Sequence, residues 1–438
     1  MWEQRECRAK AACAITRLAV SGAMILAAAA CSFEVTNPGP VQDEFLDNEK
    51  AFQASVAGMA KTYALALAGD DDGAIVKWIA TVTREAFPSG NQVSFGVGPW
   101  AEQGILIPEI VENPWNAGQN ARWVAEAGIE RMEEVLGAAA GSDPLIAEAY
   151  MWAGFSNRLL GENMCEAVIN GGPKESSQVF LERAVDQFTQ AIAVAQSAGE
   201  STIGMAAVAG RASVYADLGN WSAAVADAAS VPLDFSFGAL YYNLTEADYN
   251  FWAWSKAGAP FLSFSVWNTP YKEYGETAGD PRVTWDFDPD IPFGGLSRPC
   301  CGQVPFFQQT KFNNVTDPID IADGREMILI RAEAMLVTGD WATAIALVND
   351  DLRAPLGLGP LVVANLTDAW TAFRFERGIE LWLEGRRLND FRRWEAAGTP
   401  GVYQPLEDAN NTDTFLSPSR DLCFPIPASE TTANPNLG

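Results

Sequence analysis

Two stretches of the chain decide the fold: YADLGNWSAAVADAASVP at 215–232 and AMLVTGDWATAIALVNDDL at 334–352. Each reads as the end of a helix, then Gly, Asn or Asp, and Trp, then a second, alanine-rich helix. Glycine adopts the left-handed conformation that ends a helix, and Asn or Asp caps the helix that follows. Small alanines allow paired helices to approach closely, as in tetratricopeptide-like helix pairs. We expect Trp221 and Trp341 to pack between the paired helices.

Helical periodicity also dominates residues 116–230. In 181–196 the apolar side chains recur at three- and four-residue steps, which predicts one buried stripe on an amphipathic helix. That stripe consists of Leu181, Ala184, Val185, Phe188, Ala191, Ile192 and Ala195. The two helix-pair copies are far apart in sequence, so coincidental helical hairpins remain the alternative.

The stretch between the two copies, 231–318, has a different character. It shows little helical periodicity and many turn signals, and its aromatic content is well above the 11% of the whole chain. Long irregular segments in compact proteins are usually functional or disordered, and aromatic side chains argue against disorder because they require burial. We therefore predict an ordered, aromatic-rich insertion in a helical scaffold.

Charge and composition exclude several classes of function. The chain has 56 acidic and 29 basic residues and a net charge of -27, which makes nucleic acid and anionic lipid poor partners. It contains no histidine, so Ser-His-Asp and Cys-His catalysis and histidine-containing zinc sites are excluded. Catalysis that uses only carboxylates stays possible.

The N-terminus predicts export and lipid anchoring. Basic residues precede an uncharged apolar run at 18–30, which is shorter than the roughly 20 residues that span a bilayer. The run ends in small residues before Cys31, so we expect residues 1–30 to be a signal peptide and Cys31 to be the acylated first residue. Ordinary cleavage after an A-x-A motif is the alternative. An Asp-, Glu- and Pro-containing tether then leads to a first helix near 48–67.

Four further cysteines are available to an exported chain: Cys165, Cys300, Cys301 and Cys423. Four cysteines permit three connectivities, and the sequence does not choose among them. A bond between the adjacent Cys300 and Cys301 would be strained, so we expect each to pair elsewhere. No C-x-x-C spacing is present, and the acidic DPIDIAD and DFDPD stretches do not fit a calcium loop, so we predict no metal site and no cofactor.

Six motifs spread along the chain form a recognisable combination. The sharpest are RFERGIELWLEGRRLNDFRRW at 374–394 and FPIPASETTANPNL at 424–437. The supporting pieces are VTNPGPVQDEFLDN at 35–48, LLGENMCE at 159–166, GDPRV at 279–283 and IRAEAMLVTGDW at 330–341. Each piece is weak alone, but the combination covers essentially the whole chain and resembles the SusD/RagB family of nutrient-uptake outer-membrane lipoproteins.

The resemblance implies a mainly α-helical fold with tetratricopeptide-like helix pairs and an irregular, ligand-facing half. It implies one SusD-like domain over 31–438, with the scaffold at about 48–230 and 319–438 and the insertion at 231–318. The implied protein is a cell-surface lipoprotein and not an enzyme. It captures oligosaccharides and passes them to a SusC-like TonB-dependent outer-membrane barrel.

The C-terminal motif itself reads as structural. Glu376, Glu380 and Glu384 are spaced by four, and Arg377, Arg386 and Arg387 are near enough for helical ion pairs. We therefore predict a salt-bridged helix and no catalytic residue in this motif. The three prolines of 424–437 predict an extended end of the chain.

Aromatic side chains beside polar ones are the candidate ligand contacts, because sugars stack on flat apolar faces and bond polar groups at the rim. The candidates are Trp100, Asn91, Trp267, Tyr271, Tyr274 and Trp285, with Gln92, Lys272, Glu273 and Asp280 as polar neighbours. Core packing is the competing role for each aromatic residue. Peptide capture in the manner of RagB, a secreted glycoside hydrolase with two carboxylates, and a scaffold without a small ligand stay as alternative functions.

Overall fold

The computed structural model describes residues 46–69, 73–90, 97–256 and 261–437. The predicted signal peptide at 1–30, the lipidation site Cys31 and the tether up to residue 45 lie outside the described residues. Asn91 and Gln92 also lie outside them. Residues from Asp47 onward form one compact unit.

Helices dominate on both sides of the insertion. Those before it are α1 Glu49–Ala68, α2 Ile75–Thr83, α3 Pro99–Glu102, α4 Glu112–Leu136, α5 Pro144–Asn163, α6 Gln178–Ala198, α7 Ser201–Asp217 and α8 Trp221–Ala228. The insertion holds α9 Phe251–Trp254 and α10 Pro270–Ala278, and the helices after it are α11 Gly324–Val337, α12 Trp341–Val348, α13 Leu366–Glu380, α14 Arg387–Ala397 and α15 Ala428–Ala433. Short 3₁₀ turns lie at Gly137–Ser142, Glu246–Asp248, Ala354–Leu356, Thr412–Thr414 and Pro435–Leu437, and a π turn lies at Asn349–Arg353. The mainly helical prediction is confirmed, and no helix among the described residues has the length and apolar character needed to cross a membrane.

The strands form antiparallel two-stranded ribbons. The pairs are β1 Phe87–Pro88 with β5 Phe264–Ser265, β2 Glu166–Val168 with β3 Lys174–Ser176, β4 Ser236–Ala239 with β10 Ile319–Asp323, β6 Trp285–Phe287 with β9 Phe307–Gln309, and β7 Phe293–Arg298 with β8 Gly302–Pro305. In the β4–β10 pair, Ile319 lies opposite Ala239. This pair joins the two ends of the insertion, so the insertion leaves the scaffold and returns to it at one place.

The larger hydrophobic core includes the apolar stripe of α6. Phe188 is fully buried between α5 and α7. Both neighbouring helices present a glycine to its ring: a Cβ atom would lie 2.6 Å from the ring at Gly154 and 2.5 Å at Gly210. Glycine at these positions therefore lets the three helices approach closely, and the predicted stripe is the face that packs inward.

The two helix-pair turns have the predicted geometry. Gly219 and Gly339 are left-handed, with φ of +72° and +86°. The Asn220 side chain accepts from the backbone of Ala223, and the corresponding Asp340 accepts in the same way at the start of α12. The Trp residue that follows each cap packs against buried side chains and leaves part of its ring exposed. The expected packing is therefore present but only partial.

The disulfides correct one expectation. Cys165, which follows α5, is bonded to Cys423 near the C-terminus, across 258 residues. Cys300 and Cys301 are bonded to each other in the turn between β7 and β8, so the prediction that each pairs elsewhere is wrong. The physical reason is that the other two cysteines of the described chain already bond each other.

Candidate functional site

One largely buried arginine, Arg282, fixes the insertion to the scaffold. Its Nη2 donates to Asp280 Oδ2 at 2.6 Å, and its Nη1 donates to Glu376 Oε1 at 2.8 Å and Glu380 Oε2 at 2.7 Å. Burial alone would raise the pKa of Asp280, but hydrogen bonds from Arg282 and the Tyr274 hydroxyl hold that pKa below its usual value. The GDPRV stretch therefore clamps the insertion onto α13.

The glutamates of the C-terminal motif pair across the tertiary structure. Glu376 pairs with Arg282 and Arg353. Glu380 pairs with Arg282 and Arg325. Glu384 pairs with Lys311. The predicted helical pairs are wrong, because α13 ends at Glu380 and the nearby arginines bind elsewhere. Arg377 binds Asp390 at 2.9 Å, and Arg387 binds Glu407 at 2.7 Å.

The stretch from β6 to β7 carries four exposed large apolar side chains, here called the apolar strip: Phe287, Ile291, Phe293 and Leu296. Each is between 41% and 46% exposed. They lie on β6, on β7 and in the turn between them. Exposed apolar patches on soluble proteins mark interaction sites, so this part of the insertion is a candidate binding surface.

A cleft of about 470 Å³ lies beside the apolar strip. Its apolar wall contains Phe287 and Ile291 of the strip. Its other lining residues are Leu262, Phe306 and Pro289, together with the polar Asp286, Asp288, Gln308 and Lys256. Burial lowers the pKa of Lys256, whose Nζ donates to Asn313 Oδ1 at 2.8 Å. The cleft therefore combines aromatic faces with hydrogen-bonding groups of both charges.

The loop that carries Trp100 is tied to the β7–β8 hairpin by Arg298. Trp100 lies on α3 and is 54% exposed. Arg298 is buried at the end of β7, and its Nε donates to Glu102 Oε2 at 2.7 Å while its Nη2 donates to the Val97 carbonyl at 2.8 Å. Trp100 is therefore held beside the hairpin that carries part of the apolar strip.

Another buried arginine, Arg84, joins the same loop to the segment that carries Phe415. Its Nη2 donates to the Glu102 carbonyl at 2.7 Å and its Nε donates to the Thr414 carbonyl at 2.9 Å. Burial lowers the pKa of Arg84 to about 9. The half-buried Trp267 stacks on Phe415 with their ring centroids 6.2 Å apart. The structure thus connects the Trp100 and Trp267 segments through one guanidinium group.

The structure removes Tyr271 from the candidate ligand contacts. Its ring is fully buried and stacks on Trp382 with a centroid distance of 5.5 Å, so it offers a ligand no surface. Its neighbour Lys272 donates to Glu276 at 2.7 Å, and Glu273 is exposed.

Tyr274 and Trp285 are half-buried, and their contact with a ligand stays a prediction. The Tyr274 hydroxyl donates to Asp280 Oδ2 at 2.6 Å, which makes it part of the Arg282 clamp. Trp285 meets Phe307 edge-on at 5.0 Å across the β6–β9 ribbon. Asn91 is not described, so its role stays a prediction too.

Sequence reasoning missed the apolar strip. The signal was the stretch DFDPDIPF at 286–293, in which apolar residues alternate with Asp and Pro. Proline disfavours both helix and ladder there, so neighbouring elements cannot bury every apolar side chain. In the described part of the chain, no group of three or more Cys, Asp or Glu residues is arranged to hold a metal ion.

Comparisons with known proteins give the family resemblance. Residues 325–438 match the model of the SusD family. No curated protein sequence matches the chain.

Solved structures share the fold at low sequence identity. A SusD superfamily protein from Bacteroides thetaiotaomicron VPI-5482 is 17% identical with a TM-score of 0.64, covering 88% of this chain and 98% of that one. A laminarin binding SusD-like protein is 15% identical with a TM-score of 0.63, covering 87% and 97%. Surface glycan-binding protein A from Bacteroides uniformis is 13% identical with a TM-score of 0.62, covering 89% and 99%. The predicted SusD/RagB resemblance and SusD-like fold are confirmed.

Proposed function

We propose that this protein is a surface binding protein that captures oligosaccharides and does not cleave them. The observation that carries the proposal is the apolar strip together with the exposed Trp100, whose helix Arg298 ties to the same hairpin, on an insertion that Arg282 fixes to the scaffold. The match to the SusD family and the shared fold with a laminarin binding protein and a surface glycan-binding protein support a glycan as the ligand.

The chemistry of this surface suits a sugar chain. Sugar rings present flat C–H faces that stack on aromatic rings, and Phe287 and Trp100 offer such rings. Sugar hydroxyls need hydrogen-bonding groups at the rim, which Asp286, Asp288 and Gln308 provide in the cleft. Sugars bring little apolar area, so we expect a dissociation constant in the micromolar to millimolar range, roughly -8 to -4 kcal/mol.

Peptide capture is the second candidate. Ile291 and Leu296 of the apolar strip are aliphatic, and aliphatic side chains suit the apolar residues of a peptide as well as they suit a sugar face. Binding of peptides alone would keep the capture role and replace the ligand class.

Anchoring and delivery complete the proposal. We propose that Cys31 is acylated and that 31–438 form one domain on the outer surface of the outer membrane. The captured ligand then passes to a SusC-like TonB-dependent barrel. Weak binding suits this role because the cargo must be released.

Calorimetry against a panel of oligosaccharides and peptides tests the proposal, with product analysis after long incubation. We expect Trp100→Ala and Phe287→Ala each to weaken oligosaccharide binding about tenfold, or about 1.4 kcal/mol. The matched control is Trp123→Ala, because Trp123 is 55% exposed but lies on α4. Equal loss in all three variants, or turnover abolished by a single Asp or Glu substitution, would overturn the proposal.

A further inference from the structure

A second cavity, of about 420 Å³, lies beside the loop that follows α14. Two arginines, Arg374 of α13 and Arg420 of the C-terminal segment, form its wall together with Tyr403. Glu395, Asp408 and Asn410 also line it. This cavity, here called the arginine cavity, does not share a lining residue with the cleft beside the apolar strip.

The two arginines give their hydrogen bonds mainly to backbone carbonyls. Arg374 is 4% exposed and donates to the Gly401 carbonyl at 3.1 Å and the Thr399 carbonyl at 3.0 Å, and its buried Nε has no partner. Arg420 donates from Nη1 to the Glu407 carbonyl at 2.8 Å. Neither guanidinium group makes a close ion pair with a carboxylate of the described chain.

A neighbouring arginine, Arg387, differs from these two because a carboxylate binds its guanidinium group. Arg387 binds the Glu407 carboxylate through Nε at 2.9 Å and Nη2 at 2.7 Å, and its pKa is raised although burial opposes this. Burial lowers the pKa of Arg374 and of Arg420, because nearby carboxylates do not offset the lost hydration. The arginine cavity therefore carries positive charge that aromatic rings and distant carboxylates offset only in part, in a strongly acidic protein.

The acidic residues at the cavity do not neutralise it. Glu395 is exposed, and its Oε1 lies 3.9 Å from Arg420 Nη2, beyond hydrogen-bond distance. Asp408 Oδ1 already accepts from the backbone and side chain of Asn410, at 2.9 and 3.1 Å. Glu395 accepts a long hydrogen bond from the Tyr403 hydroxyl, at 3.4 Å, and makes no hydrogen bond with either arginine of the cavity.

We propose that the arginine cavity binds a small ligand through a carboxylate group. Guanidinium groups hold carboxylates by charge-assisted hydrogen bonds, and a desolvated wall strengthens them. A uronic acid and the C-terminus of a short peptide both carry this group. The site does not depend on the proposed glycan surface.

Calorimetry on the purified protein with glucuronate, N-acetylalanine and glucose tests the site. We expect at least one carboxylate probe to bind and neutral glucose to bind at least tenfold more weakly. Which carboxylate binds identifies its source as sugar or peptide. Binding should weaken with added salt, because the interaction is between charges. No binding of either carboxylate would overturn the proposal.

Variants locate the binding. Glu395→Gln removes the rim carboxylate and should tighten carboxylate binding about fivefold, since two charges 4 Å apart interact by about 1 kcal/mol in water. The matched control is Glu134→Gln, which removes an exposed charge on α4 and should change nothing.

Arg420→Gln should weaken binding at least tenfold, with partial rescue by Arg420→Lys. If Arg420→Gln does not fold, the Glu395→Gln variant of the otherwise unchanged protein still tests whether the ligand binds in the arginine cavity. Carboxylate binding that Glu395→Gln leaves unchanged would place the ligand elsewhere and overturn the site.

Discussion

Replacing Arg282 with Met removes the cation that clamps the insertion to the scaffold. In the native protein this guanidinium group contacts three carboxylates, and only 9% of its side chain is exposed. The substitution keeps an apolar stem of similar length. Its effect therefore comes mainly from the lost charge and hydrogen bonds.

The structure sets the size of the effect. Glu376 keeps Arg353, which donates to its Oε2 at 2.6 Å, and Glu380 keeps Arg325 at 2.7 Å. Asp280 keeps the Tyr274 hydroxyl and the backbone N–H of residue 282, but it becomes a buried carboxylate without a cation. Removing one partner of a buried pair costs about 3–5 kcal/mol, and we expect about 3 because two of the three carboxylates retain a partner.

Thermal and urea denaturation measure this effect. For a domain of this length, about 3 kcal/mol corresponds to a melting temperature lower by about 4 °C. The control is Arg353→Met, after which Glu376 still keeps Arg282, so we expect a loss of about 1 kcal/mol in the free energy of unfolding.

The folded-state pKa of Asp280 is below its ordinary value, so this part of the stability is present at neutral pH and is lost as the pH falls. The difference between wild type and Arg282→Met should therefore shrink below about pH 4. Equal losses for the two variants, or a difference independent of pH, would refute the clamp.

Three further predictions follow from buried acids, from the long disulfide and from the N-terminus. Burial raises the pKa of Glu85 to about 7 and of Glu384 to about 8, so the stability they contribute is complete below their unfolded pKa and is lost as pH rises through 7 to 8. The melting temperature should therefore fall between about pH 4.5, the ordinary pKa of these carboxyl groups, and about pH 8, and Glu384→Gln should flatten the fall; a flat wild-type profile would contradict this. Joint Cys165→Ser and Cys423→Ser substitution removes a crosslink across 258 residues and should cost about 4–5 kcal/mol in urea denaturation, and reductant should bring wild type to the same value. Cys31→Ala should release the protein from the outer-membrane fraction, and equal retention of both forms would refute lipidation at Cys31.

Local chemistry makes the helix pairs predictable from sequence. Gly219 and Gly339 end one helix, and Asn220 and Asp340 cap the next, within three residues of each turn. Such signals need no knowledge of distant parts of the chain. The aromatic enrichment of 231–318 is likewise a compositional signal, and it identifies the segment that carries the exposed surface.

Partners that come together only in the folded chain were beyond sequence reasoning. Glu380 has arginines within helical reach in sequence, yet it binds Arg282 and Arg325 from two other segments. Cys300 and Cys301 bond each other because Cys165 and Cys423 meet at the far end of α5. Spacing along the chain shows which pairs can form locally, and tertiary packing decides which pairs do form.

Exposure of the aromatic side chains is also decided by packing. Tyr271 and Tyr274 are one turn apart on α10, but the first stacks on Trp382 of the scaffold and the second keeps part of its ring exposed. The Arg282 clamp holds the Tyr271 end of α10 close to α13 and thereby to the scaffold. Phe287, on the short β6–β9 ribbon, remains exposed because no described helix covers its side chain.

The insertion therefore contains two kinds of aromatic residue: buried ones that pack in the core and exposed ones that are available to a ligand. Trp252 and Phe264 are buried and hold the segment to the core, with their rings 5.7 Å apart. Phe287 and Phe293 contribute little to that core, because more than 40% of each side chain stays in contact with water. Exposed apolar area of this kind adds no folding stability and favours association. A ligand that covers the apolar strip would remove that area from water, and this is the physical reason to assign binding to it.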